Sequence, residues 1–302
     1  MHKTESRIEL TYRTRQWLKR FPILVQSKNQ LLALRDLIFY GRSVAIINAF
    51  PIFTPYSFGH CNSRAKLTIL SAQQTFPFLV HFLKASGNKQ IDLKVVHAEE
   101  FCAEFESQEP AARLKCVLDQ YGSDKANPNN YHLIYGAILK NASAVLAILE
   151  IGLGSNNSNV VSNMGSYGRP GASLRAFRKF LPNANVYGAD VDQRILFNED
   201  RIKTFFVDQT DLDSVEALGQ KVGTDFDLII DDGLHSPNAN ISVLSFALPR
   251  LRIGGWLVIE DIANCVLPVW QVIATLIPKE FRPYIIAAKS SLVFAVQRTA
   301  AD

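Results

Sequence analysis

The sequence predicts an α/β protein: an open, mostly parallel sheet that closes in a C-terminal antiparallel hairpin, preceded by a small α/β accessory region. Three observations predict it. From Ala144 to the end, strand-length apolar runs alternate with helix-length ones, the pattern of parallel strands joined by crossover helices. The first of those runs, 145–151, is bounded by breakers and ends at Gly152-Leu-Gly154, as a strand buried on both faces and followed by a tight turn does. The last two runs, 283–288 and 292–297, are separated by little more than Lys289-Ser290-Ser291, a link so short that only an antiparallel pair fits.

Bulk properties narrow the class. With 302 residues, 48% of them hydrophobic and 20% charged, the chain is long enough for an ordinary domain with a full core plus an accessory region. The net charge of +4 is mild and its basic residues are scattered, which argues against nucleic acid as a partner. Cys61, Cys102, Cys116 and Cys265 lie far apart with no Cys-x-x-Cys pair, so they read as reduced thiols of a cytoplasmic protein. Neither a secretory h-region nor an apolar run of about 18 residues is present, so no membrane association is expected.

In chain order, residues 1–110 read as the accessory region, with a helix at 23–37 and strands at 43–53, 66–70 and 91–96 on β-branched content. Phe50, Phe53, Tyr56 and Phe58, interleaved with Pro51 and Pro55, form either a substrate or subunit contact or a packed loop. The polar, proline-containing stretch 104–110 marks the boundary of a second domain, 111–302. That domain opens with a helix at 111–120, the loop Tyr121-Gly-Ser-Asp-Lys125 and a helix at about 131–140. The loop either carries function or caps the next helix through Ser123 or Asp124.

Strands follow at 145–151, 185–189, 203–207, 227–230 and 256–259, with helices at 172–181, 239–251 and 266–277. The helix 239–251 sets Ile241, Leu244, Leu248 and Leu251 on one face, and Gly254-Gly255 stops it. The strands finish in acids: Glu150, Asp190, Asp208, Asp231-Asp232 and Glu260-Asp261. In an open parallel sheet ligands bind outside the carboxyl ends of the strands, so these acids converge on one crevice.

The glycine turn says what that crevice takes. Gly152 and Gly154 let the backbone bend sharply beneath a ligand. A dinucleotide fingerprint would add a third glycine at position 157 and an acid about 20 residues further on. Position 157 is Asn157, and Asp190, the next strand-end acid, lies 38 residues past Gly152. Glu150, two residues ahead of the first glycine, suits a ligand with an ammonium group, and adenosylmethionine carries one. A parallel sheet ending in an antiparallel hairpin looks like the layout of adenosylmethionine-dependent methyltransferases, not of dinucleotide dehydrogenases.

From about Tyr121 to the C-terminus the chain resembles the class I methyltransferases, and within them the metal-dependent O-methyltransferases that act on deoxysugar hydroxyls of macrolides in the mycinose pathway. The blocks that carry the resemblance are Tyr121-Gly-Ser-Asp-Lys125, Glu150-Ile-Gly-Leu-Gly154, Gly171-Ala-Ser-Leu-Arg175, Tyr187-Gly-Ala-Asp190, Asp208-Gln-Thr-Asp211, Asp231-Asp-Gly-Leu-His235 and Gly254-Gly-Trp-Leu-Val-Ile-Glu-Asp261. The loop 156–170 is longer than in the family, and Leu234 stands where a small residue is usual.

The resemblance implies a Rossmann-like class I methyltransferase sheet and a set of roles. Glu150 would take the methionine ammonium of S-adenosyl-L-methionine, with the backbone of Gly152 and Gly154 beneath the cofactor. Asp190 would accept from the ribose hydroxyls, Asp208 and Gln209 would read the adenine edge, and Ser123 and Asp231 belong to the same cofactor set. Magnesium (Mg2+) would sit on Asp232, Glu260 and Asp261, hard oxygen ligands that suit it. Asp232 and His235 would be catalytic, His235 as general base, since an imidazole with an unperturbed pKa of about 6.5 takes a proton near neutral pH. Plainer roles stand beside these: a solvated turn acid for Asp190, a helix cap for Glu260 or Asp261, a structural imidazole for His235. The loop 155–170, rich in Asn, Ser and Gly, reads as a lid.

The expected reaction is methyl transfer to a hydroxyl of a small-molecule acceptor, a sugar or polyketide secondary metabolite, free or carrier-bound, by a homo-oligomer. The rivals are a metal-independent methyltransferase using His235 alone, a non-catalytic cofactor-binding module of a biosynthetic assembly, and a nicotinamide oxidoreductase, which Asn157 and the hairpin disfavour.

Overall fold

A computed structural model of the chain describes residues 31, 34, 38, 40–50 and 59–300. The chain divides into two compact units, residues 1–78 and 79–302. In the first unit, residues 40–49 are helical, and helix α1 (Cys61–Ala85) begins there. Where strands were expected at 43–53 and 66–70, residues 43–49 and 66–70 are helix and Phe50 is a bend. Spacing is the reason: Tyr40, Val44 and Ile47 recur every three to four residues, which sets them on one helical face, and they pack with Cys61 and Ala65. The 3.6-residue period outweighs the β-branched content. Residues 51–53 of the first expected strand, most of the helix expected at 23–37, and Phe53, Tyr56 and Phe58 lie outside the described residues.

Residues 79–110, read from the sequence as accessory, fall in the second unit. Of the strand expected at 91–96, only β1 (Val95–His97) forms, and it adds to the main sheet beside β8 (Phe281–Ala287). The stretch 104–110 is a joint between two helices, α2 (Ala98–Glu104) and α3 (Gln108–Tyr121). It is well anchored: Ser107 is buried, and its hydroxyl donates to the Cys102 carbonyl at 2.9 Å. Beside it Phe101 meets Trp256 and Tyr284 edge-on, at 5.9 and 5.5 Å.

The rest of the unit follows as α4 (His132–Ile138), β2 (Ala147–Ile151), α5 (Ala172–Phe180), β3 (Asn185–Asp190), β4 (Asn198–Glu199), β5 (Ile202–Phe206), α6 (Leu212–Val222), β6 (Phe226–Asp231), α7 (Pro237–Ala247), β7 (Leu251–Ile262), α8 (Leu267–Ala274), β8 and β9 (Leu292–Arg298). The sheet order is β1-β8-β9-β7-β6-β2-β3-β5-β4. Strands β7, β6, β2, β3 and β5 run parallel, while β9 is antiparallel to both β7 and β8. The expected Rossmann-like sheet with its C-terminal hairpin is thus present.

Both faces of the sheet are covered, which is why its strands are apolar nearly throughout. On one face Leu114, Ile134, Tyr135 and Phe177 from α3, α4 and α5 pack onto Ile148, Val186, Leu228, Ile230 and Val258. The alternate strand residues Leu149, Ile229 and Leu257 are also fully buried, and Trp270 of α8 lies 4.7 Å from Phe294 of β9. One expected face is different. Helix α7 buries Ala239, Val243, Phe246 and Ala247 and leaves Ile241 exposed. It ends at Ala247, where a 3-10 turn through Pro249 leads straight into β7 at Leu251, inside the expected helix. Gly254, with φ +82°, sits in the irregular register between β6 and β7 instead of stopping a helix.

Candidate active site

The strand order reverses at β2, which has β3 on one side and β6 on the other, and ligands bind at such a switch point. A cavity of about 530 Å³ opens there, lined among others by Ser123, Gly152, Asp190, Asp208, Asp232 and His235. Its size suits a cofactor-sized molecule. Gly152 holds φ +97°, and a Cβ there would overlap the Asp232 carbonyl oxygen. Asp232 N donates to the Ile151 carbonyl at 2.8 Å. The turn after β2 and the turn after β6 therefore touch backbone to backbone, and only glycine allows it.

The pleat divides the strand-end acids into two sets. Ile230 pairs in register with both Glu150 and Val258, so Glu150, Asp232 and Glu260 all project toward the α3–α5 face. There the loop after α3 delivers Lys125, 1% exposed, with its Nζ 2.5 Å from Glu260, 2.6 Å from Asp232 and 3.1 Å from Glu150. The remaining Glu260 oxygen accepts from the Tyr135 hydroxyl. The second Glu150 oxygen accepts from Ser173 Oγ at 2.6 Å. Burial alone would lower the Lys125 pKa, but the three carboxylates outweigh it and hold it well above the usual value. Burial pushes Glu150 and Glu260 up, with Lys125 opposing in each case. Asp232 is also raised, chiefly by burial, though its side chain is 22% exposed and so is less desolvated than Glu260.

A second group faces the cavity. Asp232, His235 and Asp261 each offer a ligand atom, all within 4.8 Å of one another. His235 Nε2 lies 3.9 Å from Asp232 Oδ1 and from Asp261 Oδ2. Asp261 is fixed by the Tyr131 hydroxyl, which donates at 2.5 Å, with Ser291 Oγ a further 2.6 Å beyond. His235 and Asp261 adopt φ +55° and +54°, a left-handed conformation that Asp and His tolerate better than most residues but still at a cost. This donor set fits a small divalent cation. With Glu150 and Glu260 it amounts to four carboxylates against the single ammonium of Lys125, a surplus of negative charge that a second cation would offset.

At the other end, Asp190 Oδ2 accepts from Leu153 N at 2.7 Å and Oδ1 from Asp192 N at 2.8 Å, so the carboxylate is oriented toward the cavity it lines. Burial raises its pKa and these amides oppose the rise. Asp208 lines the cavity and accepts from both the amide and the hydroxyl of Thr210. The loop after β2 folds over the cavity with Asn159, Val160, Val161, Ser162, Asn163 and Met164 on the wall. It is pinned at its base by Ser155 Oγ donating to Asp192 at 2.5 Å, and it is closed on itself by Asn156 donating to the Gly168 carbonyl at 3.1 Å.

The structure reassigns several residues singled out from the sequence. Glu150 and Glu260 do not line the cavity: both are fully buried against Lys125, which with Asp232 does line it. Asp231, fully buried on the opposite side, accepts from Gln209 Nε2 at 2.6 Å and Asn240 Nδ2 at 2.9 Å. Gln209 lines the cavity, and beside this anchor its side-chain oxygen accepts from Leu234 N at 2.9 Å, so it also holds the turn that carries His235. Ser123 lines the cavity, and neither it nor Asp124 caps α4, whose N-cap is Tyr131. Neither Glu260 nor Asp261 caps a helix: both lie within β7. Lys125, Tyr131, Tyr135 and Ser173 were missed. For Lys125 the sequence shows a place but no role: it closes the block 121–125, and nothing in that polar loop says that its side chain is buried among acids.

No protein-family model matches the chain. It is similar to the 8-demethyl-8-alpha-L-rhamnosyl tetracenomycin-C 2'-O-methyltransferase of Streptomyces olivaceus, with 29% identity over 153 residues, 50% of this chain and 38% of that protein. It is also similar to the mycinamicin VI 2''-O-methyltransferase of Micromonospora griseorubida, with 35% identity over 125 residues, 40% of this chain and 28% of that protein. The chain thus spans well under half the length of these relatives. Among solved structures, the MycE methyltransferase in complex with Mg, SAH and mycinamycin VI superposes with a TM-score of 0.51 at 22% identity, over 64% of this chain and 54% of that one, a likeness of fold.

Proposed function

We propose that the chain is an S-adenosyl-L-methionine-dependent O-methyltransferase whose acceptor is a hydroxyl on a sugar or polyketide natural product. One observation carries this reading. One cavity is lined by the glycine turn and Asp190 and also by Asp232, His235 and Asp261. That is room for a nucleoside donor beside a group able to hold an acceptor hydroxyl. The similarity to sugar O-methyltransferases supports it. The second unit is then the methyltransferase domain, with residues N-terminal to it as an accessory region. The reading also expects a homo-oligomer in the cytoplasm; among the described residues no helix is long and apolar enough to cross a membrane.

In this reading Asp190 accepts from the ribose hydroxyls, Asp208 lies toward the adenine, and Gly152 and Gly154 give the donor close backbone approach. Asp232 and Asp261 would hold magnesium, whose chemistry is to orient and acidify the acceptor hydroxyl. His235, not hydrogen-bonded to either acid, takes the hydroxyl proton on Nε2 as the acceptor oxygen bonds to the methyl carbon and the carbon–sulfur bond breaks. Alignment and exclusion of water supply much of the rate, which is the work of the loop 155–170.

A metal-independent variant has one observation in its favour, since Lys125 already lies between Asp232 and Glu260. The deciding experiment is methyl transfer from labelled adenosylmethionine to glycosylated macrolides and aromatic polyketides, with and without complete removal of divalent ions. The expected result is a product heavier by one methyl that disappears with the metal. Turnover that survives the chelator supports the variant. Binding of the donor without transfer to any hydroxyl acceptor supports a non-catalytic module instead.

A further inference from the structure

We propose that a second cavity, between the loop 155–170 and the loop after α3, binds a saccharide ring of the acceptor adjoining the group that is methylated. This rests on reading the first cavity as a methyl-transfer site.

The second cavity measures about 320 Å³, enough for a ring-sized ligand. It shares Ser123, Asp124, Met164 and Arg169 with the first cavity, so one molecule can span both. Its charged side chains are of two kinds. Asp119 already holds Lys115 at 2.6 Å and Asn127 at 3.1 Å. Asp124 and Arg169 are exposed, and among the described residues their side chains make no ion pair or hydrogen bond. The guanidinium is nevertheless placed. Gly122 closes α3 at φ +74°, and a Cβ there would come within 3.0 Å of Arg169 Cδ and Nη1, so the arginine lies along a turn that glycine leaves bare. Tyr167 is 97% exposed, and among the described residues no ring packs on it. The turn that carries it is braced: the Met164 amide donates to the Ser155 carbonyl at 2.9 Å, and Asn156 donates to the carbonyls of Gly165 and Gly168.

A carboxylate that only accepts, a guanidinium that only donates and one bare aromatic face together select the ligand. Hydroxyls on neighbouring ring carbons both donate and accept, so they satisfy Asp124 and Arg169 at once, while the C–H face of a pyranose lies on the Tyr167 ring. A simple anion would meet two acids, Asp119 and Asp124, beside one cation. An apolar ligand would bury both charges unpaired.

The test is steady-state kinetics with the glycosylated acceptor that gives product in the transfer assay above, beside adenosylhomocysteine titration. Tyr167→Ala is expected to raise the acceptor KM about tenfold or more, with kcat and adenosylhomocysteine affinity within roughly threefold of the wild type. Tyr167→Trp, which restores a ring face, is expected to bring KM back to within roughly threefold. Removing the saccharide ring from the acceptor should cost the wild type the same factor and cost Tyr167→Ala nothing more. An unchanged KM in Tyr167→Ala, or an equal loss in both proteins on trimming the acceptor, overturns the proposal. So does a fall in kcat without a rise in KM, which assigns Tyr167 to closure of the loop, and so does turnover confined to acceptors without a sugar. If no acceptor turns over, the probe is a glycan array read with adenosylhomocysteine present. Retention of the wild type on a glycoside that does not retain Tyr167→Ala supports the proposal; retention of neither, or of both alike, overturns it. Adenosylhomocysteine binding with no saccharide effect removes this subsite alone, whereas no binding of it removes the methyl-transfer reading and the subsite together.

Discussion

His235 and Asp261 face each other across the cavity mouth, each on a left-handed backbone that costs on the order of 1–3 kcal/mol and is retained where the surroundings over-determine it. The imidazole is held by its backbone and by the Gln209–Leu234 anchor behind it. His235→Ala is therefore expected to fold and to bind adenosylhomocysteine as the wild type does, while kcat falls by roughly 10²–10⁴. Turnover kinetics beside calorimetry check this, and an unchanged kcat would remove the residue as base. Much of this end of the site was legible as residues: Asp232, His235 and Asp261 can be named from the sequence and are brought together. Of the other residues named as ligand contacts, Glu150, Glu260 and Asp231 do not line the cavity, while Gln209 lines it and also bonds to Asp231 and to the Leu234 amide. A list of strand-end acids does not say on which side of the sheet each one emerges.

That side is decided by the elements. Side chains alternate along a strand, so Glu150, Asp232 and Glu260 share one face and Asp231 takes the other, and strand register is a property of three paired strands that no single run displays. The turns are equally constrained. Gly152→Ala would force a Cβ into the Asp232 carbonyl at φ +97°, and a loss of about 2–4 kcal/mol is expected, a fall in melting temperature of roughly 4–16 °C for a unit of this size. A melting temperature within a degree of the wild type would show that the two turns do not meet. The base of the lid has its own signature. Arg194, and then Ser155, donate to Asp192 and hold its carboxyl below the usual carboxylate range. An unfolded aspartate titrates near pH 3.9, and the folded one gives up its proton at lower pH. Its contribution to stability is thus fully present above about pH 5 and is lost as pH falls through the folded value. Asp192→Asn should melt below the wild type at neutral pH, with the gap narrowing in acid; a gap independent of pH would contradict this linkage.

At the scale of the whole molecule, the sheet from Ala147 to the terminal hairpin was readable because its apolar runs are short and its breakers clear. Residues 40–85 were not, since Val44, Ile46, Ile47, Leu67, Thr68 and Ile69 are β-branched or apolar enough to pass for strands while their spacing is helical. The place of residues 95–110 in the main unit was hidden for another reason: β1 is three residues long and its partner β8 lies nearly 200 residues away in sequence. The functional account depends on one physical arrangement, a donor seated on the glycine turn after β2 with its ribose on Asp190. Calorimetric titration of adenosylhomocysteine into the wild type and Asp190→Ala tests it most directly. The account predicts one site per chain in the wild type and an affinity weakened about tenfold or more in the variant, about 1.4 kcal/mol. No binding of adenosylhomocysteine to the wild type, or equal affinity in the variant, would contradict it.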